Sequence, residues 1–450
     1  MPRSAASRGV ALVAVASVLL GAGCGGASSD ARKPAAPAGA GTAGATSGSA
    51  SATGAAPSTA SSAPAASASA PVAGGDGKVI KLVSSLPRTG SANAQTGTIV
   101  NGIRMAIDEL GGKVGDFTIV YEDWDDASPQ RGNWDPSVEA QNADKAVKDA
   151  DVMGYIGTFN SGAAKISMPK LNEAKLAMVS PANTYPGLTK PGMGEPNEPM
   201  VYRPSGAINF FRVVPTDDIQ GVVAAEWAKE MGVKDVFVLN DRELYGKGIA
   251  DVFEQHARKI GLNVVGTDGI DAKAANFKSL VVKIKGTKPQ LVYFGGTTQT
   301  GAGQIAKDLA TGGADVKFMV PDGCFEKAFI EAAGPSNVND RAFITFGGVP
   351  ADKLVGKGRE FYEGYKKRYN AEPEAYAAYG YEAAKVMLDA IRRAGKKDRA
   401  AIRDALAATR NFEGALGRWS FDANGDTTLK TMSGNTVKDG KFEFVKILGQ

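Results

Sequence analysis

From Lys78 onward the chain alternates short β-branched runs with amphipathic helical periods, and this alternation restricts the fold more than any other feature. "VIKLVSS" leads through a loop to "TIVNGIRMAIDEL", where Ile99, Ile103, Ala106 and Leu110 recur on one helical face. "FTIVYED", a helix near residues 138–149, the strand "DVMGYIG", the helix "AAKISMPKLNEA" and the strand "LAMVSP" follow. After a Pro/Gly-rich excursion at 185–207 the pattern restarts with "QGVVAAEWAKEMG", "DVFVLN", "YGKGIADVFEQHARKIG", "LNVVG", "FKSLVVKIKG", "QLVYFGG", "GQIAKDLATGG" and "VKFMVPDG". Apolar strands bounded by Gly or Pro and separated by helices demand parallel sheets covered on both faces. Two successive runs therefore predict an α/β chain of two doubly wound lobes. A later helix, "AYAAYGYEAAKVMLDAIRRAG", and a tail that reads as a β-hairpin with closing strands complete the pattern.

The first 77 of the 450 residues do not belong to that pattern. Arg3 and Arg8 precede the apolar run "VALVAVASVLLGAG", which describes an export signal over residues 1–23, too short for an ordinary membrane span. Cys24 directly after "LGAG" resembles a bacterial lipobox, in which the thiol receives diacylglycerol and becomes the new N-terminus. Gly21 stands where that box usually carries Leu, so simple secretion and an uncleaved membrane anchor are the competing readings. Residues 24–77, beginning at Cys24, are nearly all Ala, Ser, Gly, Thr and Pro. Such a segment cannot bury enough apolar surface to offset its ordering entropy and reads as a flexible tether, with a reach on the order of 40 Å.

Composition excludes several classes of function. A net charge of +4 without a basic block in the folded part argues against nucleic acid. After Cys24 the only cysteine is Cys324, so the mature chain has no disulfide and relies on the size of its core. His256, the single histidine, sits at the edge of the stripe Ile249, Val252, Phe253 and Ile260, where packing or capping explains it. Histidine-based triads and ordinary zinc sites are thereby removed, and neither a metal nor a cofactor is expected.

Three short patterns imitate known sites. Gly301-Ala302-Gly303 with Ala306 fits G-x-G-x-x-A, and Asp322 follows about twenty residues later, as in a dinucleotide fingerprint. In that fingerprint the first Gly follows its strand directly; here "TTQT" intervenes, and the strand is not the first of its lobe. Gly301 and Gly303 are better explained by a helix that starts close to the sheet. "DANGD" at 422–426 places its Gly too early for a calcium loop. No G-x-x-x-x-G-K-[ST] occurs, so any ATP hydrolysis belongs to a separate subunit. "EDWDDA" reads as a solvated acidic loop after a strand.

Open parallel sheets bind ligands at the carboxyl ends of their strands. The residues there are "TFNSGAA", "ANT", "DRELYG", "TTQT" and Asp322. Together with "SLPRTGSANAQTGTIVNGIRMAIDELGG", "FFRVVPTDDIQG", "DAKAANFKSLVVKIKGTKPQLVYFGG" and "FMVPDG", they resemble the leucine/isoleucine/valine-binding type of periplasmic solute-binding protein, the capture subunit of branched-chain amino acid ABC importers. The resemblance runs in consistent order from about residue 78 to the end. It implies the type I fold of that family, with three crossing strands as a hinge between an N-terminal lobe (78–212 and 349–412) and a C-terminal lobe (213–348 and 413–450).

Position by position, the resemblance makes Ser161 the carboxylate-binding serine, Asn183 and Thr184 the next contact loop, Tyr245 the covering tyrosine and Asp322 the acidic partner of the ammonium group. Gln95 and Thr297 stand where the branched-chain binders have Tyr, and Asp322 replaces a longer Glu. "SPQRGNWDPSV" and 185–207 look like insertions, and the family's small disulfide is missing. Physically, Ser161 before a helix suits a carboxylate at the positive end of the dipole; an N-cap role is the alternative, and the two are not exclusive. Asp322 suits an ammonium, or else caps a helix; Tyr245 suits a lid over a small ligand, or plain packing.

The expected protein is an extracytoplasmic lipoprotein of the bacterial envelope, not an enzyme. It is expected to be a monomer that captures an amino acid and delivers it to an ABC permease with separate ATPase subunits. Urea or a short amide as ligand, a ligand-sensing lipoprotein, and an extracellular enzyme on the same fold are the alternatives.

Overall fold

A computed structural model describes residues 78–449. The expected leader, the Cys24 lipidation site and the tether up to residue 77 lie outside the described residues. Each run of the alternating pattern builds its own sheet. The first has six strands in the order Lys113–Val114, Phe117–Asp125, Val79–Leu86, Val152–Gly157, Met178–Ser180 and Phe210–Arg212. Only the short edge pair is antiparallel. The second has seven, in the order Asn263–Gly269, Asp235–Asn240, Leu291–Gly295, Lys317–Val320, Ala342–Gly347, Met432–Lys438 and Lys441–Leu448. Its first five strands are parallel and its last two antiparallel.

The central strands Val152–Gly157 and Leu291–Gly295 are buried along their whole length, as expected for sheets covered on both faces. In each sheet the parallel strands run spatially second, first, third, fourth, fifth. Winding therefore reverses between the first and third strands, and the loops leaving those strands diverge to open a crevice. One crevice lies beyond Leu86 and Gly157, the other beyond Asn240 and Gly295.

Two long helices fix what surrounds the first crevice. Asn93–Asp108 packs along Ala377–Ala394, with Gly102 so close that an added Cβ would lie 2.3 Å from the Ala377 carbonyl oxygen. Just past the first helix, Glu109 accepts hydrogen bonds from Tyr381 at 2.7 Å and Lys385 at 2.9 Å. Contact thus advances along both helices together. They run in the same direction, with Ala377 at the start of the second beside Gly102 in the middle of the first. The chain passes between the sheets after Arg212, after Gly347 and before Met432. These crossings are tied together by the bridge Arg212–Asp426 and by the Gly348 amide donating to the Thr431 carbonyl at 2.8 Å.

Several local readings are corrected. The first helix ends at Asp108, which leaves Leu110 outside its apolar face and 44% exposed. "EDWDDA" is not a solvated loop: the strand continues through Asp125, Asp123 pairs with Arg88 at 3.0 Å, and Asp126 is fully buried. His256 lies in the last turn of Leu244–Lys259 and meets Glu226 at 3.2 Å. Gly301 has φ +115° as it caps Ala302–Thr311, and a Cβ on Gly303 would approach Ala332 to 2.5 Å. The second glycine thus admits a neighbouring helix, not the sheet.

Candidate functional site

Both crevices face one small cavity of about 20 Å³, room for about one water molecule. Phe159, Asn160, Ser161 and Ala182 form the wall that belongs to the first sheet, while Tyr245, Thr297, Asp322 and Gly323 form the wall of the second. Tyr376, just before Ala377–Ala394, closes the side. Four of the residues singled out in the sequence (Ser161, Tyr245, Thr297 and Asp322) therefore border one space. Gln95, Asn183 and Thr184 are buried but are not among the lining residues, although Asn183 and Thr184 directly follow Ala182.

The first wall is organised by the start of the helix Ser161–Glu173. Ser161 is its first residue, so the amides of the opening turn have no partner within the helix and present the positive end of its dipole. Close backing by Trp134 fixes this turn, because a Cβ on Gly162 would come within 2.6 Å of the indole. The Ser161 hydroxyl accepts the Tyr185 amide at 3.4 Å. Asn183 is committed elsewhere: its side-chain amide donates to the Phe159 carbonyl at 2.9 Å, which braces the cavity loop. Thr184 is buried against Asp217, whose amide donates to the Thr184 carbonyl at 3.0 Å.

The second wall is acidic. Asp322, only 3% exposed, accepts a hydrogen bond from Tyr245 at 2.7 Å and another from Tyr376. Burial pushes its carboxyl up, and both tyrosines oppose that shift. Tyr245 also accepts the Gly323 amide at 3.1 Å, so one hydroxyl fixes the loop and its carboxylate together. Asp217, the first residue of Asp217–Glu230, is fully buried and close enough to Asp322 for their charges to interact. Burial, followed by the charge of Asp322, drives its carboxyl well up, and the neighbouring Thr184 hydroxyl opposes that shift. Thr297 opens a short turn as its cap, bonding Thr300 at 3.2 Å, and Thr300 in turn donates to Asp241 at 2.8 Å.

None of the lining residues carries a positive charge. The nearby buried Arg212 is fully occupied by Asp426 at 2.7 Å, the carbonyls of Asn183 and Tyr185, and the Thr189 hydroxyl. The site thus offers helix amides and a hydroxyl to an anion on one side and a carboxylate to a cation on the other. It holds no nucleophile paired to a base. A family model for periplasmic binding proteins matches residues 79–441.

The chain belongs to that family. A Leu/Ile/Val-binding protein of Rhizobium johnstonii is 30% identical over 368 residues, covering 79% of this chain and 91% of the relative. Among solved structures, a leucine-binding protein from Thermotoga maritima superposes with a TM-score of 0.73 at 27% identity, over 82% of this chain and 98% of the other. A branched-chain amino acid transporter substrate-binding protein from Streptococcus pneumoniae, solved with isoleucine, gives a TM-score of 0.71 at 25% identity, over 82% and 100% of the two chains. The two sheets with their helices are accordingly the two lobes of a type I periplasmic binding protein.

Sequence reading missed Tyr376 and Asp217. Asp217 lies in a stretch already quoted for the family, whereas Tyr376 lies in the late helical stretch and precedes a helix instead of following a strand. Asp217 had the signal of an acidic residue opening a helix just past the crossing at Arg212.

Proposed function

We propose that this protein captures an amino acid, branched-chain or related, between its lobes outside the cytoplasm and delivers it to an ABC permease. One observation carries the reading: Ser161 at a helix start and Asp322 border the same cavity from opposite walls. The carboxylate of a zwitterion is held by the helix amides and Ser161, and its ammonium by Asp322, with Tyr245 and Tyr376 covering the pair. Hydrogen bonds to charged groups are worth about 1.5–3 kcal/mol each, enough for a few such contacts to hold a small molecule. The lobes divide as 78–212 with 349–412 and 213–348 with 413–450, and Cys24 is the lipid attachment point. No chemistry occurs. The ligand touches both lobes only when they are closed, and this difference in affinity drives closure.

The small cavity also favours a second reading, a urea-sized or short amide solute that lacks a charged pair. Calorimetric titration with amino acids, short amides and urea separates the two. Saturable binding of at least one free amino acid, lost when its carboxyl is amidated, is the expected result. Binding of urea alone would remove the amino-acid reading.

A further inference from the structure

We propose that Tyr185 is a positioning residue for closure: its ring is the seat on which the second lobe's helix Leu244–Lys259 rests, and it raises ligand affinity without touching the ligand. The inference rests on the reading of two lobes that close over an amino acid. Tyr185 lies between the strands Met178–Ser180 and Phe210–Arg212 of the first sheet, whereas the helix follows the strand Asp235–Asn240 of the second. The contact is tight: a Cβ on Gly248 would lie 2.7 Å from Tyr185 Cδ2 and 2.9 Å from Cε2. One turn earlier on the same helix, Leu244 packs against the apolar cluster that includes Tyr185, Leu188, Tyr202 and Phe210. Glycine inside a helix is less favourable than alanine, so each one calls for a reason. Gly246 has its reason within its own lobe, where a Cβ would meet Asp241 at 2.2 Å. For Gly248 the three nearest atoms all belong to Tyr185, on the other lobe.

The ring is fixed from several sides. Its hydroxyl donates to Glu198 at 3.0 Å, and that buried carboxylate also accepts from the Tyr202 hydroxyl and the Glu195 amide and pairs with Lys165 at 3.0 Å. The Tyr185 carbonyl accepts from Arg212 at 2.8 Å, and its amide donates to the Ser161 hydroxyl at 3.4 Å. The backbone of Tyr185 therefore braces the wall that carries Ser161, while its ring meets the helix that carries Tyr245 in its first turn. Tyr185 itself is not among the lining residues. The contact between ring and helix forms across the closed lobes and involves no ligand, so it favours closure with the site empty or filled. A contact that stabilises the binding-competent form raises apparent affinity by enlarging that form's share.

The test places a methyl group on the seat. Gly248→Ala improves helix propensity, so the ligand-free unfolding midpoint is expected to hold or rise, while the methyl meets the Tyr185 ring and opposes closure. Each common amino acid is titrated calorimetrically into the parent, and the tightest binder is then titrated into the variants. Gly248→Ala is expected to bind it about tenfold more weakly than the parent. In a Tyr185→Ala background the methyl has room, and Gly248→Ala is expected to cost less than about twofold further. Tyr185→Leu takes the place of Tyr185→Ala should that variant fail to fold. Parental affinity in Gly248→Ala, or an equal loss in both backgrounds, overturns the seat and leaves the amino-acid reading intact. Should no amino acid bind the parent, that reading fails and solution scattering without ligand decides the seat. A larger radius of gyration for Gly248→Ala than for the parent supports it, and an equal one overturns it.

Discussion

Asp322 keeps its carboxylate almost out of water with two tyrosine hydroxyls turned toward it. On the proposed reading, an arriving ammonium adds the opposite charge that this buried group lacks. Asp322→Asn keeps the shape and removes the charge, so amino-acid binding is expected to weaken roughly 10- to 100-fold. Ligand-free stability is expected to hold or rise, because a buried charge has gone. Calorimetry and thermal unfolding of the same variant check both halves; parental affinity would move the ammonium elsewhere, with Asp217 the first place to look. That Ser161, Tyr245, Thr297 and Asp322 were legible in the sequence has a simple cause. Each follows a strand in a parallel sheet, and ligands gather at that end. Tyr376 was not legible, because its bond to Asp322 joins residues 54 positions apart and no strand points to it.

Among the secondary elements, the alternation of apolar strands and amphipathic helices exposed nearly every segment, because the two periods differ so clearly. What it could not expose was where a late helix returns. Ala377–Ala394 packs on the first sheet's helix through Gly102, a long-range fit that leaves no periodic trace. Glu382 on this returning helix anchors the strand pair Phe412–Gly414 and Gly417–Trp419, accepting from Trp419 Nε1 at 2.6 Å and the Ala415 amide at 2.7 Å. Burial nevertheless pushes its carboxyl up to about 7 from a reference of 4.5, outweighing those bonds. The folded protein therefore holds this proton more tightly than the unfolded chain. The resulting stabilisation is complete below about pH 4.5 and is lost as pH rises through about 7. The unfolding midpoint is expected to fall between about pH 5 and about pH 8, and Glu382→Gln to flatten part of that fall. An identical pH profile in the variant would assign the slope to other buried acids.

A second contact between elements crosses the mouth of the site. Arg131, in the loop before Pro136–Lys148, meets Glu243 at 3.2 Å, just before the helix that carries Tyr245. The guanidinium also lies 5.3 Å over the Trp134 ring that backs Gly162. Both charges are more than one-third exposed, so screening limits their worth. Arg131→Ala is expected to weaken ligand binding by about a few-fold at low salt and by less at high salt. Titrations at two ionic strengths check this; a loss independent of salt would point to the lost packing on Trp134 instead.

For the whole molecule, a cavity of about 20 Å³ sets the mechanical requirement. No amino acid reaches Asp322 from outside while Tyr245, Tyr376 and Ser161 enclose so little space. On the proposed reading the lobes must part, and the crossings between the sheets are where that movement has to occur. An apolar cavity of about 250 Å³ borders all three, touching Pro215, Gly348 with Val349, and Leu429 with Thr431. The buried Arg212–Asp426 pair at 2.7 Å ties two of the crossing segments together. A ligand that touches both lobes binds the closed form better by the full value of its contacts to the second lobe, and only that difference moves the equilibrium. Solution scattering is therefore expected to show a smaller radius of gyration at saturating ligand than without it. Asp322→Asn is expected to stay at the larger value at the same ligand concentration. Indistinguishable scattering curves for the parent, under conditions where calorimetry shows the site filled, would mean that ligand reaches this cavity without movement of the lobes, and the hinge reading of the three crossings would fail with it.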